Sequence, residues 1–284
     1  MFQSVYIYGL GMMGGSLSKA IKIKNISKKI YAYDIDRSSL LYAKKNNIID
    51  GYDSSNFEYL SNADLIIICT PVSRYKIVFK NIKKHMKPNA IITDIGSTKI
   101  NIIKDFEKIF SVRSDCFIGS HPLTGKESSS VKNSDQHIFK KSVVLLTPRD
   151  SDDPVQIKKI SGMWKKLGCQ IILITPSKHD LVLSETSHLP HLVSFALVNI
   201  ILNTSSVNNT EDFTGGGFRD FARLAHSDPL MWKDICFSNE KNIIKSINLL
   251  KKELDLIKSY ISSKDHKLSR YLKNIKMKLD KNDK

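Results

Sequence analysis

The chain has 284 residues, enough for two modest domains with separate cores, and 41% of them are hydrophobic, the share of an ordinary globular protein. Its charge of +16 comes from 44 Lys and Arg against 28 Asp and Glu, but only seven are arginine and the lysines are spread along the chain. That pattern describes a solvated lysine surface with a general attraction for anionic ligands, and it argues against a nucleic-acid footprint.

No uninterrupted apolar run approaches the ~18 residues that cross a bilayer, so no membrane span is expected. The segment from Met1 to Ala20 lacks a basic start and is broken by Gly9, Gly11, Gly14 and Gly15, so it reads as folded structure rather than a leader. A cytosolic protein is expected. Cys69, Cys116, Cys169 and Cys236 share no short spacing, which argues against a disulfide framework and a zinc site.

In chain order, β-rich runs fall at Val5–Tyr8, Ile30–Asp34, Leu65–Cys69, Ala90–Asp94, Phe117–Gly119, Ser142–Leu146 and Ile171–Ile174. Several are continuous Ile/Val/Leu runs, as expected of parallel strands covered on both faces. Helical stretches lie between them near Gly14–Ile23, Ser38–Asn46, Tyr75–His85, Thr98–Phe110 and Pro154–Leu167. This rhythm predicts a doubly wound α/β domain of the Rossmann type over residues 1–175. Thr175-Pro176 then has the form of a helix start, with Asp180 expected in the first turn, and 176–284 reads as all-α.

The strongest local signal is Gly9-Leu10-Gly11-Met12-Met13-Gly14, a G-x-G-x-x-G that follows a strand and opens a helix. The first Gly permits the tight turn, the second a close approach of backbone to a pyrophosphate, and the third close packing of helix on strand. Asp34 ends the second strand, where its carboxylate suits ribose hydroxyls and opposes a 2′-phosphate. NAD is therefore expected over NADP, with Arg37 nearby as the one residue that suits a phosphate. Thr70 and Pro71, which follow the third strand, are further candidate cofactor contacts at the edge where open sheets bind ligands.

Four segments carry more than a nucleotide fold requires: Cys69-Thr70-Pro71-Val72, Thr93-Asp94-Ile95-Gly96-Ser97-Thr98-Lys99, Gly119-Ser120-His121-Pro122-Leu123-Thr124-Gly125-Lys126-Glu127, and Gly215-Gly216-Gly217-Phe218-Arg219-Asp220-Phe221-Ala222-Arg223. With Ser187-His188-Leu189-Pro190-His191 and Met231-Trp232-Lys233-Asp234-Ile235, they closely resemble the prephenate/arogenate dehydrogenase family of tyrosine biosynthesis, in order from Val5 to about Ile235. The resemblance implies oxidative decarboxylation of a cyclohexadienyl acid, with hydride passing to the nicotinamide. It also implies a homodimer through the helical domain, for which the apolar positions along 241–264 give a physical motive.

By that resemblance His121 accepts the ring hydroxyl proton, and Ser97 touches both substrate hydroxyl and nicotinamide. A neutral imidazole, titrating near pH 6.5, suits the first task, and Ser97 also reads as an N-cap for a helix beginning at Thr98. Arg223 aligns with an arginine that binds a substrate carboxylate, with Arg219 as a second candidate. Glu127 matches a glutamate near the site, although Lys126 replaces the usual Thr before it. His191 is expected near the substrate or the domain interface, and Trp232 as a site wall or core aromatic. Pro190 leaves the Thr186 carbonyl without its helical donor. Glu185-x-x-His188 has di-iron spacing but no second copy, so no metal is expected. Two alternatives stay open: a two-domain NAD(P)-dependent dehydrogenase acting on a β-hydroxy acid or imine, and a nucleotide-sensing regulator without catalysis.

Overall fold

The computed structural model describes residues 1–125, 130–204 and 215–282. These residues form two compact units, Met1–Asn239 and Glu240–Lys284.

In the first unit β1 (Phe2–Tyr8), α1 (Met12–Ile23), β2 (Ser27–Tyr33), α2 (Arg37–Lys45), β3 (Gly51–Tyr52), α3 (Glu58–Ser61) and β4 (Leu65–Ile68) come first. They are followed by α4 (Tyr75–His85), β5 (Ile91–Asp94), α5 (Ile100–Phe110), β6 (Phe117–Pro122), β7 (Val143–Thr147), α6 (Pro154–Lys166) and β8 (Gln170–Leu173). The strand order is β3-β2-β1-β4-β5-β6-β7-β8. Neighbours pair in parallel except β6 with β7, which run antiparallel. The expected doubly wound sheet is therefore present, extended by two strands, β7 and β8, that run in the opposite direction.

Period-two alternation builds its two faces. Val5, Ile7, Leu65 and Ile67 pack with Leu17, Ile21 and Trp164 on one side. Tyr6, Tyr8, Ile66 and Ile68 pack with Phe79, Phe106 and Phe110 on the other. Such double coverage explains why β1 and β4 read as continuous apolar runs. The short β3 and α3 escaped the sequence reading, because two residues of strand and one turn of helix leave no periodicity to detect.

The chain reverses its winding between β1 and β4, so the loops after these strands open a crevice at the carboxyl edge of the sheet. β5 and β6 run parallel to them and end at the same edge. Residues following β1, β4 and β5, and the end of β6, thus converge by topology alone.

Beyond the sheet, α7 (Pro176–Leu183) begins as expected: the Thr175 side chain accepts the Lys178 N–H at 3.3 Å, and Pro176 occupies the first turn. A π-helical turn, Ser184–His188, joins it to α8 (Leu189–Thr204) immediately before Pro190. Proline cannot donate a main-chain hydrogen bond, and a single wide turn is a common way to absorb that loss near functional sites. Within Pro176–Asn203 an 18-residue stretch reaches a mean hydropathy of 1.2, enough to cross a bilayer by length and composition alone, a test that core helices of soluble proteins also pass. α9 (Gly216–Ala225) and α10 (Pro229–Ser238) complete this unit, and α11 (Glu240–Ser262) with α12 (Lys267–Asn282) form the second. Within the second, Tyr271 donates to Glu253 at 2.6 Å.

Candidate active site

The turn between β1 and α1 fits a dinucleotide by its backbone. Gly9 has φ +103°, and a Cβ there would lie 2.8 Å from the Cys69 carbonyl carbon. At Gly14 a Cβ would lie 2.1 Å from the Gly9 carbonyl oxygen, so both glycines are obligatory for the way α1 seats on β1. Gly11 caps α1 in extended conformation with no side chain on the first helical N–H groups, which leaves them available to an anion. Leu10 and Met12 are buried in the protein and Met13 packs on the core, so what they can offer a cofactor is main chain. Asp34 accepts the Leu10 N–H at 2.5 Å and the Asp36 N–H at 2.8 Å, which aims its carboxylate across the turn. Arg37 is exposed at the first residue of α2. Across the crevice, Thr70 Oγ1 is buried without a hydrogen-bond partner among the described residues, and Pro71 follows it. A buried hydroxyl of that kind fits a polar group arriving with a ligand.

The segment after β5 is organised by charge. Lys99 and Asp94 are both fully buried and 2.8 Å apart. All three donors of the Lys99 ammonium are used: on Asp94 Oδ2, on the Gly96 carbonyl at 2.6 Å and on the Thr98 carbonyl at 3.2 Å. Asp94 also accepts from the Gly96 N–H at 2.9 Å, the Ser120 N–H at 2.9 Å and the Tyr75 hydroxyl at 3.2 Å. One carboxylate therefore fixes the turn that carries Ser97 and the β6 backbone just before His121. Ser97 does not act as the expected cap. The helix begins two residues later than expected, at Ile100, and its first N–H groups are capped from another helix. Asp180 accepts from Lys99 N–H at 2.8 Å and Ile100 N–H at 2.9 Å. Asp180 itself is a buried bridge between α5 and α7 rather than a first-turn charge for its own helix.

His121 lies within β6, opposite Leu145 of β7, and not on a loop as its sequence position suggested. Antiparallel pairing extends the strand through Pro122. Its Nδ1 is 2.9 Å from Nε2 of His179, whose Nδ1 is 2.8 Å from Asp180 Oδ1. Burial, followed by the neighbouring His179, Lys99 and His188, holds the His121 pKa well below the usual histidine value. His179 is also lowered, chiefly by burial against the opposing pull of Asp180. His188, on the π turn, is pushed down to about 4, again chiefly by burial, and its ring bonds the backbone of Ser97. Asn239 Nδ2 reaches the same ring at 3.2 Å. Three imidazoles are thus held neutral at the end of the sheet.

His191 is half-buried, with Nδ1 2.9 Å from the Ser187 carbonyl and its ring stacked on Trp232 at 4.1 Å. Trp232 is buried, and its indole Nε1 has no hydrogen-bond partner among the described residues. Burial lowers the His191 pKa, the bond with the Ser187 backbone opposes it, and the Arg223 charge lowers it further, so these two expected site residues lie within electrostatic reach. Arg219 lies one turn earlier on α9, exposed like Arg223. Glu127 lies outside the described residues. Among the described residues no group of three metal-ligating side chains converges. Sequence reasoning missed His179, Asp180 as a capping residue, and Lys99. Only the last stood in a recognised block, and a lysine there reads as one more surface charge.

Two family models match the chain: one described as prephenate dehydrogenase, nucleotide-binding domain, over residues 17–173, and one described as prephenate dehydrogenase, dimerization domain, over 175–274. The chain is 30% identical to the prephenate dehydrogenase of Bacillus subtilis, over 97% of this chain and 75% of that protein. It is also 30% identical to the cyclohexadienyl dehydrogenase of Zymomonas mobilis, over 93% of this chain and 90% of that one. Among solved structures it is similar to prephenate dehydrogenase from Aquifex aeolicus in complex with hydroxyphenyl propionate and NAD+. That likeness has a TM-score of 0.91 and 33% identity, covering 99% of this chain and 98% of the other.

The buried pair makes a direct prediction. Lys99→Met leaves the Asp94 carboxylate without its cation, and the expected loss in urea unfolding is about 3–5 kcal/mol, the usual cost of breaking a buried ion pair. A loss below about 1 kcal/mol, the scale of a surface pair, would contradict the arrangement.

Proposed function

The chain belongs to the prephenate dehydrogenase family, and we propose that it oxidatively decarboxylates a cyclohexadienyl acid, prephenate or arogenate, with NAD as hydride acceptor. The products are 4-hydroxyphenylpyruvate or tyrosine, CO2 and NADH. The observation that carries this reading is His121: a buried, neutral imidazole at the carboxyl edge of the sheet, on the edge that also bears the glycine turn and Ser97. Residues 1–175 serve as the dinucleotide-binding domain and 176–284 as the helical substrate and dimerisation domain.

Bound NAD supplies the electrophilic carbon that receives hydride. The protein's own residues align the ring and manage one proton. His121 accepts the proton of the ring hydroxyl as that oxygen becomes a carbonyl; loss of the ring carboxylate as CO2 then makes the ring aromatic, and the phenolate oxygen takes the proton back from His121. Ser97 bonds the same hydroxyl, a role supported by a backbone held by His188 and by the Lys99 turn. Arg223 pairs with a substrate carboxylate, with Arg219 one turn away and His191 beside it. Asp34 favours NAD, because a 2′-phosphate would meet a carboxylate already fixed by two backbone N–H groups.

Steady-state kinetics following NADH absorbance test this set of roles. The wild type should reduce NAD with prephenate or arogenate, and do so with higher kcat/KM than for NADP. His121→Asn should lower kcat by roughly 10²–10⁴ with little change in KM. Arg223→Ala should raise KM for the organic acid by about 10- to 150-fold and leave NAD affinity nearly intact. No turnover of either acid, or a His121→Asn variant within tenfold of wild type, would overturn the reading.

The family model over 175–274 is described as a dimerization domain, and α8 and α11 expose Leu202, Ile244, Leu254 and Ile261. A homodimer covers such positions. Sedimentation equilibrium at micromolar protein should report about twice 32.2 kDa, and a monomer at that concentration would reject it.

A further inference from the structure

The three side chains behind the candidate base form an ordered line: His121 Nδ1 to His179 Nε2 at 2.9 Å, then His179 Nδ1 to Asp180 Oδ1 at 2.8 Å. His179 and Asp180 are fully buried, so no solvent can reorient the line from behind. Its polarity follows from the far end. Both Asp180 oxygens already accept backbone N–H groups, from Lys99 and Ile100, which fixes that carboxyl as an acceptor. His179 must therefore donate from Nδ1, and a neutral imidazole with its proton on Nδ1 has a bare Nε2. That nitrogen can only accept, so His121 donates from its own Nδ1. His121 Nε2 is then left bare.

We infer that His179 and Asp180 are positioning residues that set the tautomer of His121, presenting an unprotonated Nε2 to the substrate hydroxyl. The inference rests on the proposed role of His121 as base. When Nε2 takes up the hydroxyl proton, the new N–H bond replaces the substrate O–H bond. The resulting imidazolium keeps its Nδ1–H on His179, and the positive charge is stabilised through that hydrogen bond and the carboxylate beyond it. After CO2 leaves, Nε2 returns the proton to the phenolate oxygen, so no proton passes on to His179 and no oxidant beyond NAD is involved. The same carboxylate caps α5, so the helix that follows the Ser97 turn and the orientation of the base answer to one group.

The line also explains a residue choice that stability alone does not. His179 is fully buried and its ionised form is disfavoured by burial, yet it sits where an apolar side chain would pack at lower cost. A side chain that accepts on one edge and donates on the other is needed to pass polarity from Asp180 to His121. A neutral imidazole or a primary amide does both through two separate atoms, so it can span the two neighbours.

Protein labelled with [15N]histidine, without substrate, tests this at pH 7.5 by long-range 15N–1H correlation. His121 and His179 should both show a protonated Nδ1 and a bare Nε2, and a protonated Nε2 on neutral His121 would overturn the inference whatever the kinetics show. In parallel, His179→Phe removes the acceptor while filling similar space. Its kcat should fall by about 10- to 100-fold, at or below the lower end of the range for general-base catalysis, with both KM values within about twofold. His179→Gln, with an acceptor oxygen and a donor amide, should recover most of that loss. A Phe variant with wild-type kcat, or a Gln variant no better than Phe, would overturn the inference. His121→Asn separates the two readings: wild-type kcat there refutes the base itself, while the tautomer measurement still decides the line behind it.

Discussion

A lysine and an aspartate with no solvent contact, 2.8 Å apart, are the constraint on which the site depends. Removing two charges from water costs several kcal/mol per ion, and the pair persists only where every remaining donor and lone pair is engaged. Here that condition is met by main chain. The Lys99 ammonium spends its other two donors on the carbonyls of Gly96 and Thr98, and the Asp94 carboxylate takes N–H groups from Gly96 and Ser120. Those partners are the turn that bears Ser97 and the residue before His121. The demand for satisfaction thus fixes two candidate catalytic residues from one point.

The helical segment after the sheet joins the same arrangement through Asp180, which caps α5 and carries the His179 ring. It joins again through Asn239, whose amide reaches both the Asp180 carbonyl and His188. Smaller contacts follow the same direction: Thr98 meets Ser238, Asn101 bonds the Ser238 carbonyl, and Ser73 meets Asp234. Within Met1–Asn239 the turn after β5, the start of α5 and the helices α7 and α10 are therefore held together by polar contacts, several of them buried, as well as by packing. Such networks specify geometry when fully satisfied and are costly when broken. That suits a site where a ring carbon, a nicotinamide and an imidazole must be aligned within a fraction of an ångström.

Much of this was legible in the residue order. Continuous apolar runs gave the parallel strands, and G-x-G-x-x-G between a strand and a helix gave the nucleotide turn. The blocks around Ser97, His121 and Arg223 carried the family. What stayed hidden has a common physical cause. The Asp180 cap reaches back 81 residues to Lys99, and the His121–His179 contact spans 58. No local period or spacing reports on such distances. Lys99 is one of many lysines in a +16 chain and reads as solvated until its neighbours are known. His121 looked like a loop residue because antiparallel pairing with β7, which prolongs the strand, is a tertiary event.

Burial holds the imidazoles uncharged, which suits His121 to its proposed role as proton acceptor throughout the neutral range. Lys99, His179 and His188 oppose its protonation, while Asp180 acts on it only through His179. A base with a lowered pKa is active above that value and loses activity only as pH falls through it. The most direct measurement is kcat of the wild-type enzyme with NAD and its preferred cyclohexadienyl acid between pH 5 and 9. The expected profile is flat through neutral pH, with the acid limb displaced below the ordinary histidine value of about 6.5. An acid limb centred at or above pH 7 would contradict it, because His121 would then be charged when catalysis needs it neutral.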